Sequence, residues 1–390
     1  MKKYIRTLIG FTICLPAMIL GSESLSTSIN YFATDFYQES LAASNENELF
    51  SPYCIFNCLS MAYIGSAGIT EMEIAKALGW DQSQEDLAKS LKDMAVSLNS
   101  RTNSYKLNIA NSAWVDQRTT LLPSYRTLIQ NEFLADVQSL NFRHSTECAG
   151  IINNWVKEQT NNTIPRLLAP QDISSDTQLM LVSALYFKGS WVLPFKKTNT
   201  RQETFYTGPA KSKKVPMMSQ SAVYSYYEDS AMQCVFIPFK GDMSFFVLLP
   251  RRSLNEVERL FLDLPIDEII ASSSRTRLNI KLPSFDMRIK YDLIPALKDL
   301  GIREIFSSRA NLSKINGKFD LYVNKALHEA YFSLNEEGVT ASAATAIGAG
   351  TTCIKIDPPA KDFIANHPFI FGIVDLKSNV MLFLGKMKEP

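Results

Sequence analysis

Histidine is scarce in this chain: 390 residues hold three, His144, His328 and His367. Any His-based catalytic scheme therefore has few members to draw on. The compact catalytic motifs are missing as well: there is no Gly-x-Ser-x-Gly elbow, no Gly-x-x-x-x-Gly-Lys-Ser/Thr phosphate loop, no Ser-x-x-Lys pair and no His-Glu-x-x-His. His328 lies in an apolar run of strand character and reads as a buried histidine satisfied by hydrogen bonds, because no partner constellation accompanies it. Charge of one sign is also missing. Forty Lys and Arg against 39 Asp and Glu give a formal net charge of +1, spread evenly, which leaves no electrostatic footprint for nucleic acid or an anionic membrane. Cysteines are few and odd in number once Cys14 is set aside. Cys54, Cys58, Cys148, Cys234 and Cys353 form no disulfide framework and no zinc-ligand spacing, and the first four read as small apolar fillers. Neither a metal nor a cofactor is expected.

Long hydrophobic runs are limited to the beginning. Lys2, Lys3 and Arg6 precede an apolar run from about Leu8 to Leu20, then Gly21, Ser22, Glu23 and Ser24, the pattern of a secretory signal peptide over residues 1–21. About thirteen apolar residues interrupted by Pro16 fall short of the ~20 that span a bilayer. The expectation is a secreted chain, extracellular or periplasmic, with one mature domain over 22–390, since no repeat or Gly/Ser linker divides it.

Helical periodicity marks the first half: Ile29, Phe32, Phe36 and Leu41; Tyr125, Leu128, Ile129 and Phe133 after Pro123; Ile151, Ile152, Trp155 and Val156. Short apolar runs predict strands at Gln178 to Phe187, Phe245 to Leu249, Leu278 to Leu282, Ala326 to Leu334, Pro368 to Val374 and Val380 to Leu384. Mixed in this order, they predict an α+β fold without regular βαβ alternation.

One stretch departs from ordinary composition. The fifteen residues from Gly338 to Thr352 carry no charge and no proline, and three glycines and four threonines weaken a helix there. At period two, Val339, Ala341, Ala343, Thr345, Ile347 and Ala349 form a small, largely apolar face that can slide into a sheet without burying a charge. Pro358 and Pro359 end the strand-like continuity. A segment exposed in one state and central in another gains roughly fifteen to twenty ladder hydrogen bonds, on the order of 10 to 30 kcal/mol at ~0.5–1.5 kcal/mol each.

The hinge Asn335-Glu336-Glu337-Gly338 and the segment Phe363-Ile364-Ala365-Asn366-His367-Pro368-Phe369-Ile370-Phe371 resemble the two signatures that bracket the reactive loop of the serpins. Further matches are Asn47-Glu48-Leu49-Phe50-Ser51-Pro52 with Gly65, Ala67, Gly68 and Thr70; Leu185-Tyr186-Phe187-Lys188-Gly189-Ser190-Trp191; Val215-Pro216-Met217-Met218; and Phe383-Leu384-Gly385-Lys386. The likeness covers nearly all of the mature chain. It implies a serpin fold of three β-sheets and about eight or nine helices with an exposed reactive-centre loop, and a monomeric suicide-substrate inhibitor of serine-type endopeptidases, not an enzyme.

Carried over residue by residue, the resemblance makes Glu336, Glu337, Gly338, Val339, Thr340, Ala341, Ser342, Ala343 and Ala344 the hinge, with Val339 where Thr or Ser is commoner in the family. The reactive bond falls between Thr352 and Cys353, with cuts after Thr351 or Lys355 as alternatives. Threonine points to an elastase-like or subtilisin-like target. Ser51, Cys54, Ser183 and His328 map to the family's sheet-opening shutter, where Cys54 replaces a usual serine and Ser183 a usual asparagine. Fewer hydrogen bonds around His328 are then expected, with easier opening. The segment Asp81 to Asn103 carries only Lys89, Lys92 and Arg101 beside Glu85, Asp86 and Asp93, so heparin activation is not expected. A non-inhibitory carrier or chaperone of the same fold is the alternative, disfavoured by a hinge free of charge and proline.

Overall fold

The computed structural model describes residues 24–99, 104–339 and 359–390. Its α-helices are α1 (Leu25–Phe36), α2 (Pro52–Ile64), α3 (Gly68–Leu78), α4 (Gln84–Asn99), α5 (Pro123–Glu132), α6 (Ser145–Gln159), α7 (Leu254–Asp263), α8 (Ile266–Ser272), α9 (Leu293–Asp299) and the single turn α10 (Ser313–Asn316). The strands are β1 (Glu48–Phe50), β2 (Tyr105–Asp116), β3 (Asp136–Leu140), β4 (Leu179–Ser190), β5 (Arg201–Gly208), β6 (Lys211–Glu228), β7 (Met232–Pro238), β8 (Met243–Pro250), β9 (Ser274–Pro283), β10 (Phe285–Asp292), β11 (Val323–Asn335), β12 (Gly338–Val339), β13 (Lys361–Ile364), β14 (Phe369–Asp375) and β15 (Val380–Met387). Each helix and strand expected from periodicity is present.

The strands form two hydrogen-bonded sheets where three were expected. A six-stranded sheet runs β10-β11-β12-β4-β2-β3, with β11 also paired to β4, and the other nine strands make one continuous ladder. The reason is β6. Eighteen residues long, it pairs with β5 near its start, β9 along its middle and β7 at its end, so it fuses what would otherwise be two sheets. Ten α-helices among the described residues exceed the expected count by one, the four-residue α10.

Helix α2 lies at the centre, and all thirteen of its residues are buried, as expected of a helix that is apolar around its circumference. Pro52 occupies its first turn and the Ser51 hydroxyl accepts the Cys54 N–H at 3.2 Å, so the chain enters the core with its helix end satisfied. Strand alternation divides the six-stranded sheet into two faces. Leu181, Leu185, Ala326 and Ala330 belong to the main core with α2, whereas Val182, Ala184 and Leu327 pack with Ile152 and Val156 of α6.

Candidate functional site

The parallel seam between β4 and β11 has two unlike parts. In its lower part the strands pair directly, from Val323 opposite Leu179 to Ala330 opposite Leu185. At its upper end β12 lies between them: Gly338 and Val339 pair antiparallel with Asn335 and Leu334 on one side and with Ser190 and Gly189 on the other.

That position demands glycine. Gly338 has φ +145°, and a Cβ there would lie 2.0 Å from the Gly189 carbonyl oxygen. The preceding turn is tied down by backbone bonds, with Trp191 N–H donating to Glu337 O at 3.0 Å and Phe195 N–H to Glu336 O at 2.8 Å. The Asn335 side-chain oxygen accepts the Glu337 N–H at 2.9 Å, and the Trp191 indole N–H donates to Asn335 O at 3.0 Å while its ring stacks on Phe239 at 4.4 Å. Thr200 donates to the Glu336 carboxylate at 2.6 Å, and Lys197 pairs with Glu337 at 3.0 Å, an exposed pair of little energetic weight.

Lower in the seam His328 is fully buried. The Ser51 backbone N–H donates to its Nε2 at 2.9 Å, so Nδ1 carries the proton and faces the Ser183 hydroxyl at 3.1 Å and carbonyl at 3.2 Å. Burial pushes the imidazole down to about 3, and the ring stays neutral. A neutral ring whose Nε2 is already engaged, with no access to solvent, is no general base. This is the satisfied core histidine that the sequence suggested.

Ser51, Cys54, Ser183 and His328 do come together at the start of α2. Cys54, however, does not bond the imidazole: its thiol donates to Ala184 O at 3.7 Å, and burial raises it to about 12. Two neighbours were given no role by sequence reasoning. Asn111 of β2 sits in register with Ser183, which sits in register with His328, which sits in register with Tyr291, so a polar row crosses four strands. Both side-chain polar atoms of Asn111 are buried without a hydrogen-bond partner. A signal existed, since Asn111 interrupts the apolar alternation Leu107, Ile109, Ala113, Val115. The second is Gly189, whose carbonyl sets the limit at the mouth of the seam.

Of the expected hinge, Glu336, Glu337, Gly338 and Val339 are at that mouth; Thr340, Ala341, Ser342, Ala343, Ala344 and the bond Thr352–Cys353 lie outside the described residues. Cys54, Cys58, Cys148 and Cys234 are free and buried. Among the described residues no helix is long and apolar enough to cross a membrane, and no three His, Cys, Asp or Glu side chains converge as metal ligands.

Residues 27–390 match the family model described as serpin (serine protease inhibitor). A leukocyte elastase inhibitor from Sus scrofa is 35% identical over 382 residues, covering 94% of this chain and all of the relative. A serine protease inhibitor from Cyanea capillata is 31% identical over 96% of this chain and 99% of its own. The crystal structure of Serpin48 from the insect Tenebrio molitor superposes with a TM-score of 0.85 at 27% identity, covering 94% of this chain and 98% of that one. The fold, the seating of β12 and these matches lead to one conclusion: the chain belongs to the serpin family, a family of serine protease inhibitors and not of enzymes.

Proposed function

We propose that this serpin is a secreted, monomeric suicide substrate that traps a serine protease by drawing its cleaved loop down the β4–β11 seam. The observation that carries the reading is β12, two residues already bonded to both strands at the mouth of the seam. In this reading the protease cuts after Thr352, with Thr351 and Lys355 as the neighbouring options, and the residues after Val339 insert while the acyl ester still holds. The protease is dragged and distorted before deacylation frees it. A threonine at the cut, together with the relative named for leukocyte elastase, supports an elastase-like or subtilisin-like target. The signal-peptide pattern over residues 1–21 supports secretion.

Extended residue by residue, the register of β12 carries Thr345 opposite Ser183 on one side and opposite His328 on the other. Its parity is that of Val339, which is buried towards the core. The Thr345 hydroxyl would therefore take up the hydrogen bonds that Ser183 and His328 lose when the strands part. Every other residue of that face from Ala341 to Ala349 is small or apolar, so no charge is desolvated on the way. The seven direct β4–β11 register positions give way to two antiparallel ladders. On the order of a dozen net bonds, at ~0.5–1.5 kcal/mol each, amount to roughly 6–18 kcal/mol, comparable to the ~5–15 kcal/mol that holds a whole domain folded. That is sufficient to deform a bound protease.

The test is to mix the mature protein with elastase-like, subtilisin-like and trypsin-like proteases. The expected result is a denaturant-stable band at the summed masses and a released peptide that begins at Cys353 by mass spectrometry. If every protease cuts the loop and stays active, the trap fails and the carrier reading takes its place.

A further inference from the structure

Near its floor the β4–β11 seam changes character. The ladder is regular from Ala330 opposite Leu185 down to Lys325 opposite Met180, and then it slips: Val323 takes the place opposite Leu179, and Asn324 is the extra residue of a bulge, a feature rare between parallel strands. Asn324 Oδ1 accepts the Gln178 N–H at 2.7 Å and the Leu179 N–H at 3.4 Å, and Gln178 Oε1 in turn accepts the Tyr322 N–H at 3.2 Å. Where the backbone ladder ends, two side chains thus tie the strands together, each reaching across the seam to the backbone on the other side. Just beneath them lies a polar cleft of about 490 Å³ lined by Asp116, Arg118, Asp176, Gln178, Asp320 and Tyr322.

We propose that Asn324 and Gln178 form a clasp that stays shut during loop insertion, stops the inserted strand at Gly348, and so sets how far a trapped protease is carried. The proposal rests on the insertion reading. The β12 register, one residue per rung, brings Gly348 level with Met180 and Lys325, the last regular rung. Two more residues, Ala349 and Gly350, would add on the order of four ladder bonds, one N–H and one C=O each, and would break the three bonds of the clasp. A surplus of about one bond does not repay the ordering of two residues, one of them glycine. The composition of the loop changes at the same level: small and apolar residues give way to Thr351 and Thr352, which suit the polar cleft below. Ala349 to Thr352 would then be a four-residue tether between the last rung and the reactive bond, at most about 14 Å long.

The test is amide hydrogen exchange, read residue by residue, on the full mature protein after an elastase-like protease has cut the loop, paired with the rate at which active protease returns from the covalent complex. In the parent, protection is expected from Thr340 to Gly348 and none from Ala349 to Thr352. Asn324→Ala removes two of the three bonds of the clasp, so protection should extend to Gly350. The protease, drawn about 7 Å further at ~3.3 Å per residue, should then return severalfold more slowly. A substitution that merely weakened the fold would not lengthen the life of the complex. Asn324→Asp keeps the acceptor and should stop the strand where the parent does. Protection that runs through Thr351 in the parent, or that ends at the same residue in the parent and in Asn324→Ala, overturns the clasp and leaves the trap intact. Absence of protection everywhere beyond Val339 overturns the insertion reading itself, and the clasp with it.

Discussion

At its upper end the seam between β4 and β11 admits two residues of β12, bonded to both strands; lower down the same two strands pair directly and bury His328 between them. The upper part is held by backbone geometry that only Gly338 can satisfy, the lower part by a polar cluster of Ser51, Ser183 and His328. In the proposed insertion mechanism these two parts are a wedge and a latch: the wedge would set register before cleavage, and the latch would delay propagation until the loop is released. The two parts should therefore respond differently to substitution. Ala343→Arg should have the largest effect. The β12 register carries residue 343 to the level of Leu185 and Ala330, both almost without exposure. An unpaired guanidinium there costs several kcal/mol, so insertion stalls after cleavage. The covalent complex on denaturing gels is expected to fall at least about a hundredfold while the loop is still cut, the ~3 kcal/mol involved being a modest share of that penalty. Full complex formation by the variant would sink the insertion model.

Gly338→Ala attacks the wedge and should come next. The added Cβ meets the Gly189 carbonyl, and the backbone angle is one that alanine rarely adopts. Because the clash persists in the inserted state as well, expulsion of β12 should slow trapping without being repaid later. A destabilisation of about 1–3 kcal/mol is expected, with a change in Trp191 fluorescence, since Trp191 bonds to Glu337 and Asn335 of the same turn. Unaltered fluorescence and stability would show that β12 is not seated as described.

The same contrast explains what the sequence could and could not reveal. Strands β4, β8, β14 and β15 were visible because they are buried on both faces and read as unbroken apolar runs. β2, β6 and β10 were missed because Lys106, Asn108, Lys213, Lys214, Arg288 and Lys290 interrupt them on a solvent-facing side. The polar cluster was legible in part: Ser51, Cys54, Ser183 and His328 came from motif resemblance, yet that Cys54 turns to Ala184 instead of the imidazole depends on where α2 meets the sheet. The seat of Gly338 was not legible at all, because Gly189 near the end of β4 and Trp191 just beyond it, which build it, lie more than a third of the chain away. Sequence spacing carries no record of that approach.

A third change sharpens the latch. Ser183 leaves both polar atoms of Asn111 unsatisfied although the two residues are in register. In Ser183→Asn the longer amide reaches further across the strand towards Asn111 and keeps a donor and an acceptor for His328. A gain of about 1 kcal/mol, and polymer formation on heating slowed severalfold, is the expected result. Faster polymer formation in the variant would mean that the latch does not limit opening.

The smallest effect is a cancellation, and it concerns His328 and its neighbour on the opposite face. His328 is held neutral by burial, its value lowered from an ordinary 6.5 to about 3, so the unfolded chain binds the extra proton. Its contribution is complete above pH 6.5 and is lost as pH falls from 6.5 towards 3. Glu329 runs the other way. Burial raises it from an ordinary 4.5 to about 7 against the opposing pull of Arg288, 3.9 Å away, and Lys290. The folded chain then binds the extra proton, and stability is lost as pH rises from 4.5 towards 7. Between pH 4.5 and 6.5 the two slopes, each at most about 1.4 kcal/mol per pH unit, oppose one another and leave these two residues nearly silent. Glu329→Gln exposes the histidine slope, so denaturant unfolding of that variant should show stability falling as pH drops from 6.5 to 4.5. His328→Phe exposes the carboxyl slope, and its stability should fall as pH rises through the same window. If both variants stay as flat as the parent, neither group is buried in the protonation state assigned to it, and the latch is not the neutral hydrogen-bonded cluster described above.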